Sequence, residues 1–156
     1  MQRIMDAAFA LIASQGYEKT SIAQIAGKAG VSKGLLYNYF TSKEDLLEQL
    51  IHHASGQADD VMSQMISDDP AITLENIIRW LFRELRERPE YFRILTELTL
   101  RIDKFKFAHD LAVSKYEGYV RFLEQLLQHL GVPDHAGEAK IIAALADGVG
   151  LQHIVI

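Results

Sequence analysis

The sequence predicts an all-α protein, and three observations support this prediction. Apolar residues recur at the helical period along almost the whole chain. Serine, aspartate, glycine and proline stand where such segments would begin and end. No segment is a convincing alternating strand. With 156 residues and a hydrophobic fraction of 49%, the chain has room for one large core-forming domain or for a small domain fused to a larger one.

The first two helices have clear local signals. The first predicted helix has an apolar stripe at the helical period, formed by Ile4, Ala8, Leu11 and Ile12. Gly16 ends this helix. Ser21-x-x-Gln24 is a capping-box pattern, in which the hydroxyl and the amide satisfy free N–H groups at a helix start. It predicts a second helix over 22–29. Gly30 stops that helix, because glycine adopts the left-handed conformation at little cost.

Similar signals place the remaining helices. Ser32 can cap a short third helix from Lys33 to about Phe40. Ser42-x-x-Asp45 opens a long fourth helix that we expect to reach about Ser67. Asp68-Asp69-Pro70 precedes the fifth helix, and Pro89 ends it. A sixth helix follows and breaks off at Arg101–Lys106. We expect a seventh helix from about Asp110 to Leu130 and an eighth that Asp134 caps.

Charge is distributed unevenly along the chain. The net charge is −5, yet the segment from Lys19 to Lys43 contains four lysines and no acidic residue. Affinity for nucleic acid requires basic side chains near phosphates rather than a basic average. There is no cysteine, which excludes disulfides and thiolate metal sites. No apolar run is long enough for a membrane span and no signal peptide is recognisable, so we expect a cytoplasmic protein without membrane contact.

The same segment has the layout of a helix-turn-helix. Two short predicted helices meet at a tight turn, and the second such helix enters the major groove of DNA with its N-terminal residues leading. Those residues are Lys33, Gly34 and Leu35. Lysine can donate to guanine or phosphate, glycine permits close approach, and leucine can contact a thymine methyl. We predict further contacts with phosphate from Thr20, Ser21, Ser32, Tyr37, Asn38, Tyr39 and Lys43.

A long ordered pattern covers the first third of the chain. It includes Gly16-Tyr17, Thr20-Ser21-Ile22, Ile25-Ala26, Ala29-Gly30-Val31-Ser32-Lys33-Gly34-Leu35-Leu36-Tyr37, Tyr39-Phe40, Ser42-Lys43-Glu44 and Leu46-Leu47. This pattern resembles the TetR family of bacterial transcriptional regulators. The resemblance implies an N-terminal three-helix DNA-binding domain over residues 1–45. It also implies a helical effector-binding and dimerisation domain over residues 46–156, whose last helix we expect to lie beyond Ile156.

The resemblance also implies a mechanism. A homodimer would bind a palindromic operator and repress transcription, and a small molecule in the larger domain would release the DNA. By motif position, Lys33, Gly34 and Leu35 would face bases. The residues that would mainly contact phosphate are Thr20, Tyr37, Asn38, Tyr39 and Lys43. Asn38 occupies a variable position of the family and could influence operator preference. We expect no enzymatic activity, no cofactor and no metal.

Large apolar residues are frequent between the fourth and seventh helices. They favour a mostly apolar, aromatic or lipid-like effector, because pockets between helices are commonly lined this way. The candidates are Met62, Met65, Trp80, Phe82, Phe92, Phe105, Tyr116 and Tyr119. The eighth helix carries small residues that allow close helix approach, so we expect it to form part of the dimer interface; these are Ala143, Ala144, Ala146, Gly148 and Gly150.

Other interpretations remain open at this stage. Residues 30–34 fit the G-x-S-x-G nucleophile elbow of serine hydrolases, and Asp147 and His153 follow Ser32 in the appropriate order. That elbow requires a strand before the serine and a helix after it, and the predicted segment before Ser32 is helical. The histidines lack chelating spacing. A helical protein-interaction module would explain the amphipathic helices, but not the acid-free lysine cluster.

Overall fold

The computed structural model describes residues 1–101 and 103–155, which form eight α-helices and contain no strand. The predicted all-α fold is confirmed. The helices are α1 Gln2–Gln15, α2 Ile22–Ala29, α3 Lys33–Tyr37, α4 Lys43–Ser63, α5 Pro70–Glu87, α6 Pro89–Thr99, α7 Lys106–His129 and α8 His135–Val155. No helix within the described ranges is both long and apolar enough to cross a bilayer.

The chain divides into two compact units, and the division falls within α4. The first unit comprises Met1–Ala58 and the second begins at Asp59. The sequence placed the boundary between functional domains after residue 45, before most of α4. The two boundaries differ because the first turns of α4 belong to the core of the first unit: Leu46 and Leu47 are fully buried there.

The first unit is built around α2 and its neighbours. α1 packs on α2, and α2 packs on α3. Ile25 of α2, Leu36 of α3 and the following Phe40 have no exposed surface. Burying a large apolar side chain stabilises a fold by about 1.5–3 kcal/mol. These three side chains therefore fix the short α3 against the rest of the unit.

Local capping signals determine several helix ends as predicted. Ser21 and Gln24 form both hydrogen bonds of the capping box. Gly30 ends α2 in the left-handed conformation, with φ of 66°. Asp69 caps α5, whose first residue is Pro70, and accepts a hydrogen bond from the Ala71 N–H at 2.8 Å. These predictions are confirmed because each depends on residues within one turn of the helix end.

Three predicted boundaries were wrong. α3 ends at Tyr37 rather than Phe40, and the chain tightens through a bond from the Tyr39 N–H to the Leu36 carbonyl at 3.1 Å. α4 ends at Ser63 rather than Ser67. The Ser67 N–H instead donates to the buried Thr73 hydroxyl at 2.9 Å, outside any helix. α7 starts four residues early, at Lys106.

The second unit contains α5 to α8. α7 and α8 pack along each other around a buried cluster of Leu123, Leu127, Ala139 and Ala143. α5 and α6 each contact both of these helices. Phe105, immediately before α7, is fully buried, which explains why the helix can begin directly after it. Gly131 has φ of 74° and reverses the chain between α7 and α8.

Candidate nucleic-acid interface

The turn between α2 and α3 is short and is held by backbone hydrogen bonds to the last turn of α2. The Gly30 N–H donates to the Gly27 carbonyl at 3.2 Å, and the Val31 N–H donates to the Ala26 carbonyl at 3.0 Å. This pairing satisfies two carbonyls in the last turn of α2. Ser32 then caps α3, because its hydroxyl oxygen accepts a hydrogen bond from the Leu35 N–H at 3.1 Å. Three residues therefore separate the two helices, as a helix-turn-helix requires.

α3 and the turn after it present one continuous exposed face. Leu36 and Phe40 are spaced by four residues and point inward, so the residues between and before them point outward. Even the apolar side chains on this face are exposed: Leu35 at 39%, Tyr37 at 49% and Tyr39 at 47%. The outward-facing residues are Ser32, Lys33, Gly34, Leu35, Tyr37, Asn38 and Tyr39. We call these seven residues the α3 face.

The α3 face has the chemistry that base and phosphate recognition requires. The Lys33 ammonium lies 5.7 Å from the centre of the Tyr37 ring, one helical turn away. This contact holds a cation at the start of α3 without neutralising it. The face contains no carboxylate, since residues 19–43 include no acidic side chain. It therefore combines one cation, two phenol hydroxyls, an amide and an apolar side chain on a single surface.

Two other predicted contact residues lie at the start of α2 and differ in exposure. Ser21 is exposed, and its hydroxyl oxygen accepts a hydrogen bond from the Gln24 N–H at 3.2 Å. Thr20 is buried, with only 2% of its surface exposed. Its hydroxyl donates to the Gly16 carbonyl at 2.8 Å and accepts a hydrogen bond from the Gln15 amide at 3.3 Å. This internal use of the hydroxyl argues against the predicted side-chain contact with phosphate.

Lys43 also points into the protein. Its Nζ donates to the carbonyl oxygens of Tyr17 and Thr20, both at 2.9 Å, and lies 4.1 Å from the centre of the Tyr17 ring. The pKa of the Tyr17 phenol is raised, first by burial and then by Glu44 and Glu18, so this ring stays neutral. The sequence predicted that Lys43 would clamp a phosphate, but its three donor directions face protein groups.

Arg3 contributes to this region, and sequence reasoning did not identify it. Its Nη2 donates to the Ala29 carbonyl at 2.6 Å, at the C-terminal end of α2. A guanidinium is favourable at this end of a helix because the exposed carbonyls carry partial negative charge. Twenty-six residues separate the partners. No local pattern could therefore have revealed the contact, which ties α1 to the turn before α3.

The nucleophile-elbow interpretation is wrong. The segment before Ser32 is α2, a capped helix, where the elbow needs a buried strand. Ser32 acts as the N-cap of α3, with its oxygen directed at the Leu35 N–H. Asp147 lies in α8 of the other unit. The side chain of His153 is outside the described part of the structure.

Comparison with known proteins decides the family. Residues 4–50 match the family described as "Bacterial regulatory proteins, tetR family". The "Fatty acid metabolism regulator protein" of Bacillus subtilis (strain 168) is 30% identical over 127 residues, which cover 80% of this chain and 64% of the relative. The chain belongs to the TetR family.

Further relatives agree with this assignment to the TetR family. The "HTH-type transcriptional repressor KstR" of Rhodococcus jostii (strain RHA1) is 26% identical over 155 residues, covering 99% of this chain and 70% of that protein. The chain spans only 64% of the length of the Bacillus subtilis (strain 168) regulator named above, and 50% and 49% of two further curated relatives from the same organism.

Solved structures show the same fold. A "TetR transcription regulator" from Haloarcula marismortui ATCC 43049 superposes with a TM-score of 0.89 at 21% identity, covering 99% of this chain and 85% of that one. The "fatty acid degradation regulator FadR" from Bacillus halodurans superposes with a TM-score of 0.75 at 27% identity, covering 99% and 83%. The TetR-family fold therefore extends over both units.

The residues predicted to bind an effector in this TetR-family protein have different environments. Phe105 is fully buried, and its ring meets that of Phe107 edge-on at 6.2 Å. Phe82 and Tyr116 are 54% and 41% exposed. The remaining candidates are half-buried: Met62, Met65, Trp80, Phe92 and Tyr119. Phe105 is thus enclosed while Phe82 and Tyr116 face solvent, so these three side chains do not line one common enclosed cavity in the single chain. Effector binding by the eight candidates stays a prediction.

Two shallow depressions lie on the second unit. One, of about 480 Å³, is lined by Ala71, Leu74, Glu75, Ile78, Arg79 and Leu130. The other, of about 300 Å³, is lined by Tyr116, Glu117, Val120, Arg121 and Lys140. Of the predicted effector residues, only Tyr116 contributes to either depression. Both are open grooves and neither has the enclosed form typical of a small-molecule site.

Polar groups inside the second unit were missed by sequence reasoning. The Trp80 indole N–H is buried and has no hydrogen-bond partner among the described residues. Burial raises the pKa of Tyr91 to about 12, and the neighbouring Tyr119 phenol and Asp59 carboxylate contribute to this. Asp59 pairs with Lys115, which lies one helical turn before Tyr119 on α7. These groups from α4, α5, α6 and α7 are hydrogen-bonding groups that an apolar lining alone does not supply.

Proposed function

We propose that this TetR-family chain is a DNA-binding transcriptional regulator that acts in the cytoplasm. The observation that supports this most directly is the α3 face. Leu36 and Phe40 are buried to fix the helix, while the intervening and preceding residues project outward from a helix-turn-helix. Such a helix fits the major groove, which is wide enough to admit it. Lys33, Gly34 and Leu35 would contact bases.

The α3 face would also contact the DNA backbone. Tyr37 and Tyr39 present exposed hydroxyls, and Ser21 presents one at the start of α2. These groups can donate to phosphate oxygens and so fix the orientation of α3 in the groove. Asn38 lies between the tyrosines and can influence operator preference. The acidic remainder of the chain would disfavour DNA binding through other surfaces.

Selection of bound sequences from a random DNA pool tests this proposal. We expect a palindromic consensus, because a symmetric dimer would place two α3 faces on equivalent half-sites. Fluorescence anisotropy with the selected sequence should show affinity falling steeply as salt rises, since each neutralised phosphate releases counterions. Failure to enrich any sequence, together with salt-independent binding, would refute DNA recognition.

We further propose that the protein is a repressor that a mostly apolar effector releases from DNA. Two relatives are named for fatty-acid metabolism or degradation, and the larger unit contributes many half-buried aromatic side chains. The buried Trp80 N–H supports an effector that also carries a hydrogen-bond acceptor, because an unpaired buried donor is costly. A long-chain fatty acid combines an apolar chain with such an acceptor.

Titration of the DNA complex with palmitate tests the effector class. We expect palmitate to lower the anisotropy of the labelled operator and acetate, which has the same carboxylate without the chain, to have no effect. Tryptophan fluorescence provides an independent readout, because the chain has a single tryptophan, Trp80. If palmitate changes neither signal below its micellar concentration, a fatty-acid effector is excluded while DNA binding remains unaffected.

A further inference from the structure

We propose that Lys43 is a positioning residue that locks the helix-turn-helix together, and that it does not neutralise a DNA phosphate. This inference rests on the proposed function, because it concerns how the α3 face is held for DNA binding. It departs from the role that the position of Lys43, at the start of α4, had suggested. The geometry around its ammonium group carries the argument.

The ammonium group of Lys43 is fully engaged within the first unit. A lysine ammonium has three donors. Two are used by the carbonyl oxygens of Tyr17 and Thr20, each at 2.9 Å. The third side faces the Tyr17 ring, whose centre is 4.1 Å away. Reaching a phosphate would require Lys43 to give up contacts that are stronger than ordinary hydrogen bonds, since one partner is charged.

The two carbonyls belong to the connection that leads into α2. Tyr17 and Thr20 lie between α1 and α2, and Thr20 directly precedes the capping residue Ser21. The Thr20 N–H already donates to the Tyr17 carbonyl at 3.1 Å, so the connection is a closed turn. Lys43 therefore fastens the beginning of α4 to the residues just before α2. Both ends of the helix-turn-helix are joined by this one side chain.

This contact of Lys43 matters because α3 is too short to be stable as a helix on its own. It comprises five residues, and isolated helices shorter than about 12–15 residues are marginal in water. Its direction depends on Leu36 and Phe40 packing into a unit whose parts keep their relative positions. When only a fraction of molecules has the competent arrangement, apparent affinity falls by that fraction. Loosening the lock would thus weaken binding without removing a phosphate contact.

The salt dependence of DNA binding distinguishes the two roles. A phosphate contact contributes about 0.9 to the slope of log affinity against log salt. We expect Lys43→Met, which keeps the apolar stem, to lower affinity at every salt concentration with an unchanged slope. It should also lower the unfolding temperature of the DNA-free protein. Lys33→Met serves as the matched control, because it removes an exposed cation from the DNA-facing surface. It should reduce the slope by about 0.9 per half-site with little change in unfolding temperature. Lys43→Arg, which retains paired donors and can stack on Tyr17, should restore most of the affinity.

Amine labelling of the unmodified protein provides a test that needs no variant. A limiting amount of a lysine-reactive acetylating reagent, followed by peptide mass spectrometry, reports the reactivity of each amine. Without DNA, we expect Lys43 to react at least several-fold more slowly than the exposed Lys19, Lys28 and Lys33. Equal reactivity of Lys43 and Lys33 would overturn the inference. So would a slope of log affinity against log salt that falls by about 0.9 per half-site in Lys43→Met, because this is the loss expected for one phosphate contact. If the wild-type protein binds no DNA, the proposed function fails, while labelling and unfolding temperature still decide the lock.

Discussion

At the scale of single residues, Gly30 is a position where two separate constraints favour glycine. Its φ of 66° lies in the left-handed region, and a Cβ built there would lie 2.7 Å from Nη2 of Arg3. That same nitrogen donates to the Ala29 carbonyl. A larger residue at position 30 would therefore strain the backbone and also displace the guanidinium that joins α1 to the turn.

Replacing Gly30 with alanine should destabilise the protein. The left-handed conformation costs an L-residue roughly 1–2 kcal/mol, and displacement of Arg3 adds to this. Gly27→Ala is a matched control within the same helix, because a Cβ there meets nothing within 4 Å. It should stabilise by about 0.5–1 kcal/mol, since glycine inside a helix is unfavourable. Urea unfolding of both variants measures the difference; equal midpoints would contradict this account of the turn.

Tyr91 gives a prediction about alkaline pH. Its folded pKa of about 12 exceeds the ordinary value of 10.0, because burial disfavours the phenolate. The stability linked to this group is therefore fully present below about pH 10 and is lost as pH rises toward 12. Between these values the wild-type free energy of unfolding should fall more steeply than that of Tyr91→Phe. Urea titrations at successive pH values measure both curves, and parallel curves in this interval would show that Tyr91 ionises normally when folded.

At the scale of elements, we propose that α3 and the turn after it make two kinds of contact with DNA. In this docking Leu35 would meet base edges, whereas Tyr39, in the turn after the helix, would contact the backbone. We expect Leu35→Ala to change the ranking of operator variants, with single bases shifting by about 1–3 kcal/mol. Tyr39→Phe should weaken binding to all variants alike, by about 1 kcal/mol. Anisotropy over a panel of single-base operator changes measures both patterns, and an altered ranking in Tyr39→Phe would place its hydroxyl at a base.

The sequence predicted those elements whose limits are set by neighbouring residues. The limits of α2 follow from Ser21, Gln24 and Gly30, all within one turn of its ends. The inward direction of Leu36 and Phe40 follows from their spacing of four. These features are local, and local propensity was sufficient to place them.

The features that sequence reasoning missed depend on residues distant in the chain. α4 ends early where Thr73 takes the Ser67 N–H. Lys43 turns inward because its partners lie 23 and 26 residues earlier, and Arg3 reaches a carbonyl 26 residues later. A basic residue near a helix start suggests a phosphate contact when its surroundings are unknown. Only the folded unit shows that the ammonium group of Lys43 already contacts two backbone carbonyls and the Tyr17 ring.

At the scale of the whole molecule, α8 suggests how two copies would meet. One side packs on α7 through the buried Ala139 and Ala143. Apolar residues continue around the helix: Ile141, Leu145 and Leu151 are 53%, 64% and 51% exposed. A helix that is apolar on all sides is normally buried on all sides. We therefore propose that the outer side of α8 faces its counterpart in a homodimer, which would give a palindromic operator its symmetry.

A charge on the outer side of α8 should shift the protein toward monomer. Ala144 is exposed, and a Cβ at Gly148 would meet nothing within 4 Å, so glutamate at either position has room in the single chain. In a dimer the same carboxylate would be desolvated between two helices without a partner, which is costly. Gln128→Glu, on an exposed position of α7, controls for the added charge. Light scattering should report a lower mean mass for Ala144→Glu and Gly148→Glu, and operator affinity should fall with it, because a monomer reads only one half-site. A wild-type mass in both variants would place the dimer interface elsewhere.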